Sequence, residues 1–129
     1  MALLTTFATN PVKTIIVNQA AATVSNAAVG DNNVSGGPAY LQMIEVDNAS
    51  FGTSVYVKLY DASSAVAGTD SAEVVLFVKA NSKRSFHFFP GLQFSTGLTM
   101  CTTTTAGQAG VTIPSDPPAV NMVLSETAS

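Results

Sequence analysis

Charged residues are scarce in this sequence. Only 10% of its 129 residues are Asp, Glu, Lys or Arg, and the formal net charge is −3. Soluble domains contain about 25% charged residues, which help to keep their surfaces apart. Two explanations stay open: partner chains cover much of the surface, or the surface consists of uncharged strands rich in Ser and Thr. The acidic balance argues against nucleic-acid binding, because that function needs a basic stripe facing the phosphates.

Cysteine and histidine occur once each, as Cys101 and His87. A single cysteine excludes an intrachain disulfide, and one residue of each type is too few for an ordinary zinc site. No basic residue near Cys101 in the sequence would activate its thiol, so we interpret it as a small, half-buried hydrophobic residue. No G-x-S-x-G motif accompanies His87, so we interpret it as an ordinary strand residue rather than part of a Ser-His-Asp triad.

Other motifs for ligands are weak. The oxygen atoms of Asp31-Asn32-Asn33 lack the spacing of a calcium-binding loop, and these residues are typical of a turn. The basic pair Lys83-Arg84 is interpreted as a solvated strand entry rather than a phosphate site. We therefore expect a protein that is not an enzyme and that uses no cofactor or metal ion.

Long apolar runs are also lacking. No segment approaches the ~20 apolar residues of a membrane-spanning helix. The start, Met1-Ala2-Leu3-Leu4, has no basic region, and its apolar stretch ends at Thr5, so it is too short for a signal peptide. We expect a protein that is made in the cytoplasm and does not enter a membrane.

The sequence does contain a series of short β-strand patterns. Residues 54–61 show the clearest alternation, in which successive side chains point to opposite faces of a sheet. We expect the aliphatic side chains to face the core and the tyrosines to keep their hydroxyls in water or against a neighbouring chain. The predicted core face is Val55, Val57 and Leu59, and the predicted outer face is Tyr56, Lys58 and Tyr60.

Further strands are predicted from their β-branched and aromatic composition. They lie at 12–18, 40–47, 73–79, 83–89, 98–105 and 119–125. The strand at 73–79 is apolar on both faces, which predicts that it is covered on each side. Turn residues occur at 30–33, 35–38 and 90–91, while residues 20–29 fit either a weak strand or an irregular connection.

This spacing of strands and turns, with no clear helix, predicts an all-β, single-domain antiparallel β-sandwich resembling a jelly roll. A jelly roll and a simple sandwich are not distinguished at this point. Residues 1–11 are predicted to form an N-terminal arm or tail, and residues 12–129 the β-sandwich domain.

Three segments together carry a resemblance to a known kind of protein. They are VYVKLYD at 55–61, GTD at 68–70 and FPGLQFSTGL at 89–98, with an apolar strand between the second and the third. In this order they resemble a pattern found in small structural proteins of tailed bacteriophages. The sequence departs from that pattern at Ser71, near a frequent proline, and at Lys79, where a Val-Pro-Ala run is usual. The first half of the chain is not covered.

The resemblance implies a protein that decorates or cements the outside of a phage capsid, often as a trimer. The implied partners are the major capsid protein and further copies of this chain, with no catalytic residues and a location on the virion surface. The candidate contacts with a capsid or another copy are Leu3, Leu4, Phe7, Tyr56 and Tyr60. Two alternatives stay open: a head-fibre or tail-associated adaptor, and a β-sandwich module that binds a carbohydrate or receptor.

Overall fold

The computed structural model describes residues 12–18, 30–31, 34–65, 68–107, 110, 112, 114 and 118–125, with the first two ranges described as backbone only. Residues 1–11, with Leu3, Leu4 and Phe7, lie outside these ranges. Within them the chain forms eight strands and no helix. The strands are β1 (Val12–Asn18), β2 (Gly30–Asp31), β3 (Ala39–Asn48), β4 (Val55–Asp61), β5 (Val74–Val78), β6 (Ser82–Phe94), β7 (Leu98–Thr103) and β8 (Ala119–Ser125).

These strands form two antiparallel sheets of four strands. Sheet I has the order β1-β8-β3-β6, and sheet II has the order β2-β7-β4-β5. The pairing is nested along the chain, since β1 pairs with β8, β2 with β7, β3 with β6 and β4 with β5. The prediction of an all-β, sandwich-like domain of antiparallel strands is confirmed.

One apolar core lies between the two sheets. Alternate residues of the strands from β3 to β8 face it, as the two-residue period of a β-strand requires. Val55, Val57 and Leu59 of β4 are buried in this core, as predicted. The remaining buried members are Ala39, Leu41, Ile44, Val46, Leu76, Val78, Phe94, Leu98, Met100, Val120, Met122 and Leu124.

The structure corrects two predicted turns. Gly30 and Asp31 form the short strand β2 against Met100 and Cys101, because a two-residue backbone pairing depends little on side-chain preference. Residues 20–29 lie outside the described ranges.

The second corrected turn is Pro90-Gly91, which continues the strand β6 instead of ending it. Leu41 pairs with Leu92 and Met43 with His87, so residues 88–91 bulge out opposite the single residue Gln42. Gly91 has a φ of +132°, and a Cβ atom there would lie 2.7 Å from Nε2 of Gln42. Glycine lets the chain pass this point and continue as the same strand.

Asp61 ties the end of β4 to the turn between β6 and β7. Its carboxylate accepts backbone N–H bonds from Ser95 (3.1 Å), Thr96 (2.8 Å) and Gly97 (3.4 Å). These bonds, led by that from Thr96, lower the pKa of Asp61, although partial burial opposes the shift. Since β6 belongs to sheet I and β4 to sheet II, this carboxylate helps to fix one sheet relative to the other.

We predict that Asp61→Asn destabilises the fold by about 1–3 kcal/mol at pH 7, because a neutral amide replaces an acceptor of charge-assisted bonds. Urea denaturation measures this cost. The folded-state pKa is lowered, so the stabilisation is present above the unfolded-state pKa of about 3.9 and is lost as the pH falls through the folded-state pKa. The difference between wild type and variant should therefore shrink in acid.

Asp47→Asn provides a graded control, since Asp47 accepts one backbone N–H bond, from Ala49. We expect it to cost less than Asp61→Asn. Equal costs, or an Asp61→Asn effect that does not change between pH 7 and pH 2, would contradict this role for Asp61.

Candidate interaction surface

The outer face of sheet II is divided into a covered part and an open part. Lys58 lies at the centre of the covered part, opposite Cys101 of β7, and its side chain is fully buried. Its ammonium group donates hydrogen bonds to the carbonyl oxygens of Gly107 and Gly110, each at 2.7 Å. Lys58 therefore holds the loop that follows β7 against the sheet.

Tyr60 and Cys101 lie beside Lys58, under the connection between β4 and β5. The Tyr60 hydroxyl is 3.5 Å from Sγ of Cys101, and Ala65 and Ala72 pack against the pair. Burial raises the pKa of the Tyr60 phenol, and the hydrogen bond to Cys101 adds to this shift. Burial also raises the pKa of the Cys101 thiol, against smaller opposing effects of Tyr60 and Lys58.

Burial lowers the pKa of Lys58, and the nearby Cys101 opposes that shift. Each shift favours the neutral form, as expected for ionisable groups removed from water. A protonated thiol is a poor nucleophile. Within the cluster, the Lys58 ammonium makes the hydrogen bonds that hold the loop after β7. No basic residue is close to Cys101 in the sequence, because Lys58 is 43 residues away along the chain and lies opposite Cys101 only through strand pairing.

The structure corrects the expectation for Tyr60. Its side chain is on the outer face of β4 as predicted, but it is only 2% exposed, since the connection between β4 and β5 folds over it. Tyr60 is therefore an internal residue rather than a candidate contact. Tyr56, on the same face, is half-buried and remains accessible.

The open part of sheet II lies along β5 and includes Tyr56 of β4. Val75 and Phe77 are 39% and 41% exposed. The centres of the Tyr56 and Phe77 rings are 5.2 Å apart. The prediction that this strand is covered on both sides is wrong. β5 is an edge strand with its inner face in the core, and Val75 and Phe77 on its outer face are exposed.

Arg84 of β6 reaches across the gap between the sheets to this edge. Its Nη1 donates to the carbonyl oxygen of Phe77 at 3.0 Å, and its guanidinium lies 4.7 Å from the centre of the Phe86 ring. Charged side chains commonly protect exposed strand edges. The interpretation of Lys83-Arg84 as a solvated strand entry agrees with the exposure of both residues.

A third exposed large hydrophobic residue lies on sheet I. Phe89 stands at the bulge of β6 and is 88% exposed. Its neighbour Phe88 packs against the core instead, because the two side chains point to opposite faces of the strand. Within the described ranges, the large hydrophobic residues that are exposed are Val75, Phe77 and Phe89.

Among the residues that the structure describes, no group of three or more His, Cys, Asp or Glu side chains is placed to hold a metal ion. No helix there is long and apolar enough to cross a membrane. Comparison of the chain with protein-family models, curated proteins and solved structures finds no match.

We predict that Lys58→Met destabilises the protein by about 2 kcal/mol, because it keeps the apolar stem and removes two bonds donated by a charged group. Lys83→Met is the matched control at an exposed lysine, and it should change stability by less than ~0.5 kcal/mol. Urea denaturation of both variants tests this. Equal effects would show that the Lys58 ammonium does not hold the loop.

Proposed function

We propose that this protein is a structural component of a tailed-phage virion, which binds the outside of the capsid and decorates or cements the shell. The Asp61 carboxylate provides the main support. It closes the VYVKLYD segment and binds residues 95–97 of the FPGLQFSTGL segment. Two segments that carry the resemblance to phage structural proteins are therefore parts of one structural unit.

The strand order supports a finer description of the fold. We infer a jelly roll, because the nested pairing of β1 with β8 through β4 with β5 is what results when a ribbon of eight antiparallel strands rolls into two sheets. Jelly rolls occur in viral capsid proteins and in lectins. The fold is thus compatible with the capsid function and with the alternative of carbohydrate binding.

A protein that cements a shell has to bury area across the joints between capsid subunits. It needs a rigid body, which the shared core of the two sheets provides, and an adhesive surface. Exposed aromatic side chains are the most effective anchors at protein interfaces. Phe89 has this character, since its ring projects from the β6 bulge with little support from its own chain.

We predict that Phe89→Ala weakens binding to the capsid by about 2 kcal/mol, the cost typical of losing an aromatic anchor. The protein should keep its stability, because the removed side chain is exposed. Co-sedimentation of purified variants with capsids that lack this protein measures the binding.

His87→Ala is the matched control for this measurement, since His87 is exposed on the same strand two residues before Phe89. We expect it to bind like the wild type. Failure of the wild-type protein to bind any capsid would contradict the proposed function, whereas normal binding by Phe89→Ala would move the contact to another surface.

The alternatives make different predictions for the same protein. A carbohydrate-binding module would use the neighbouring rings of Tyr56 and Phe77, which lie on the open part of sheet II. Binding of the isolated protein to a glycan array, lost in Phe77→Ala, would favour that function. A head-fibre or tail adaptor would bind virions at the head fibres or the tail and would not bind the capsid shell.

A further inference from the structure

The strand β5 and its flanking residues are complementary to a second copy of themselves. Residues 73–79 read Glu-Val-Val-Leu-Phe-Val-Lys, so the segment begins with a negative charge and ends with a positive one. Val75 and Phe77 are exposed on the outer face of β5, and the flanking residues Glu73 and Lys79 are also exposed, while Leu76 lies in the core. Within the described ranges, neither Glu73 nor Lys79 has a salt-bridge partner.

Among the residues that the structure describes, no strand pairs with the outer edge of β5. β5 ends sheet II, and the Phe77 carbonyl accepts its hydrogen bond from the Arg84 side chain. That carbonyl therefore points away from β4 and toward the open edge. Alternate residues of an antiparallel strand direct their backbone groups to the same side, so Val75 also presents its N–H and C=O groups there.

One register lets two β5 strands form backbone hydrogen bonds, keeps their apolar outer faces on the same side and pairs opposite charges. If two β5 strands pair antiparallel about a two-fold axis at Leu76, Val75 of each copy meets Phe77 of the other and exchanges both backbone bonds with it. Extended one residue beyond each end of β5, the same register brings Glu73 of each copy opposite Lys79 of the other. A shift of two residues in either direction pairs Val75 with Val75 or Phe77 with Phe77, and it leaves the charges unmatched.

We propose that β5 is a dimerisation edge through which two copies of this chain form one continuous eight-stranded sheet. On pairing, the Arg84 guanidinium releases the Phe77 carbonyl, which then accepts the N–H of Val75 from the second copy. Cross-strand aliphatic and aromatic pairs and opposite charges stabilise such an edge. This two-fold contact is separate from the trimer that the family resemblance implies, and it does not depend on the proposed capsid function.

The proposal is tested by reversing the charges at the two ends of β5 and measuring the dimer affinity of the full chain by sedimentation equilibrium. Wild type should form a dimer. Glu73→Lys and Lys79→Glu should each weaken it about ten-fold, since two attractive ion pairs become repulsive. The double variant Glu73→Lys/Lys79→Glu should recover the wild-type affinity, because it restores both pairs with their signs reversed.

A mixture of the two single variants gives the sharpest result. The Glu73→Lys chain has two lysines at these positions and the Lys79→Glu chain has two glutamates, so a mixed pair has two attractive contacts and should form a heterodimer. Lys83→Glu is the control for Lys79→Glu, because it makes the same charge change outside β5 and should leave the dimer intact. Circular dichroism checks that each variant is folded.

Arg84→Ala separates edge pairing from simple stacking of the apolar faces. It frees the Phe77 carbonyl, so it should strengthen an edge-paired dimer and leave a face-stacked one unchanged. A monomeric wild type, or an oligomer that is insensitive to the single charge changes and to their mixture, would overturn the proposal. Capsid binding is measured separately with Phe89→Ala, so failure of one proposal can be told from failure of the other.

Discussion

The whole structure depends on one apolar core that both sheets share. Each core-forming strand must keep alternate residues facing that core, since a shift of one residue would expose its entire apolar set. Successive strands lie on different sheets, except for β4 and β5, which are neighbours in sheet II. Segments that are distant in the sequence therefore pack together in the core. The Asp61 carboxylate adds a polar tie between these parts where β4 meets the turn after β6.

The same period of two explains how much of the fold could be predicted. The alternation in β4 predicts its core residues because one face of the strand is aliphatic and the other is not. β5 is apolar on both faces, but only its inner face lies in the core, while Val75 and Phe77 on its outer face are exposed. Sequence composition could not reveal this, because the covering of an outer face depends on where distant segments of the chain are placed.

The covered part of sheet II was not predictable for a related reason. Lys58 and Tyr60 have the alternation of an exposed face, and they do lie on the outer face. Two loops then fold over that face, one held by the Lys58 ammonium and the other packed on Tyr60. A local pattern indicates which face a residue occupies, whereas its exposure depends on what the rest of the chain places above it.

The surfaces that remain apolar and open lie on both sheets, along the edge formed by β5 and at the β6 bulge. This distribution suits a small protein that binds to other proteins, with one surface for a second copy and another for a larger assembly. The scarcity of charged residues fits the same proposal, because partner chains would then cover part of the surface. The proposed location on a capsid rests on the resemblance to phage structural proteins, and two of the three segments that carry it meet at Asp61.

The central claim is that the protein resides on the outside of a phage shell, and electron cryomicroscopy of purified particles tests it most directly. The account predicts density for the two-sheet domain on the outer capsid surface, with the β6 bulge facing the shell. Density confined to the tail or the head fibres, or particles that contain none of this protein, would contradict it.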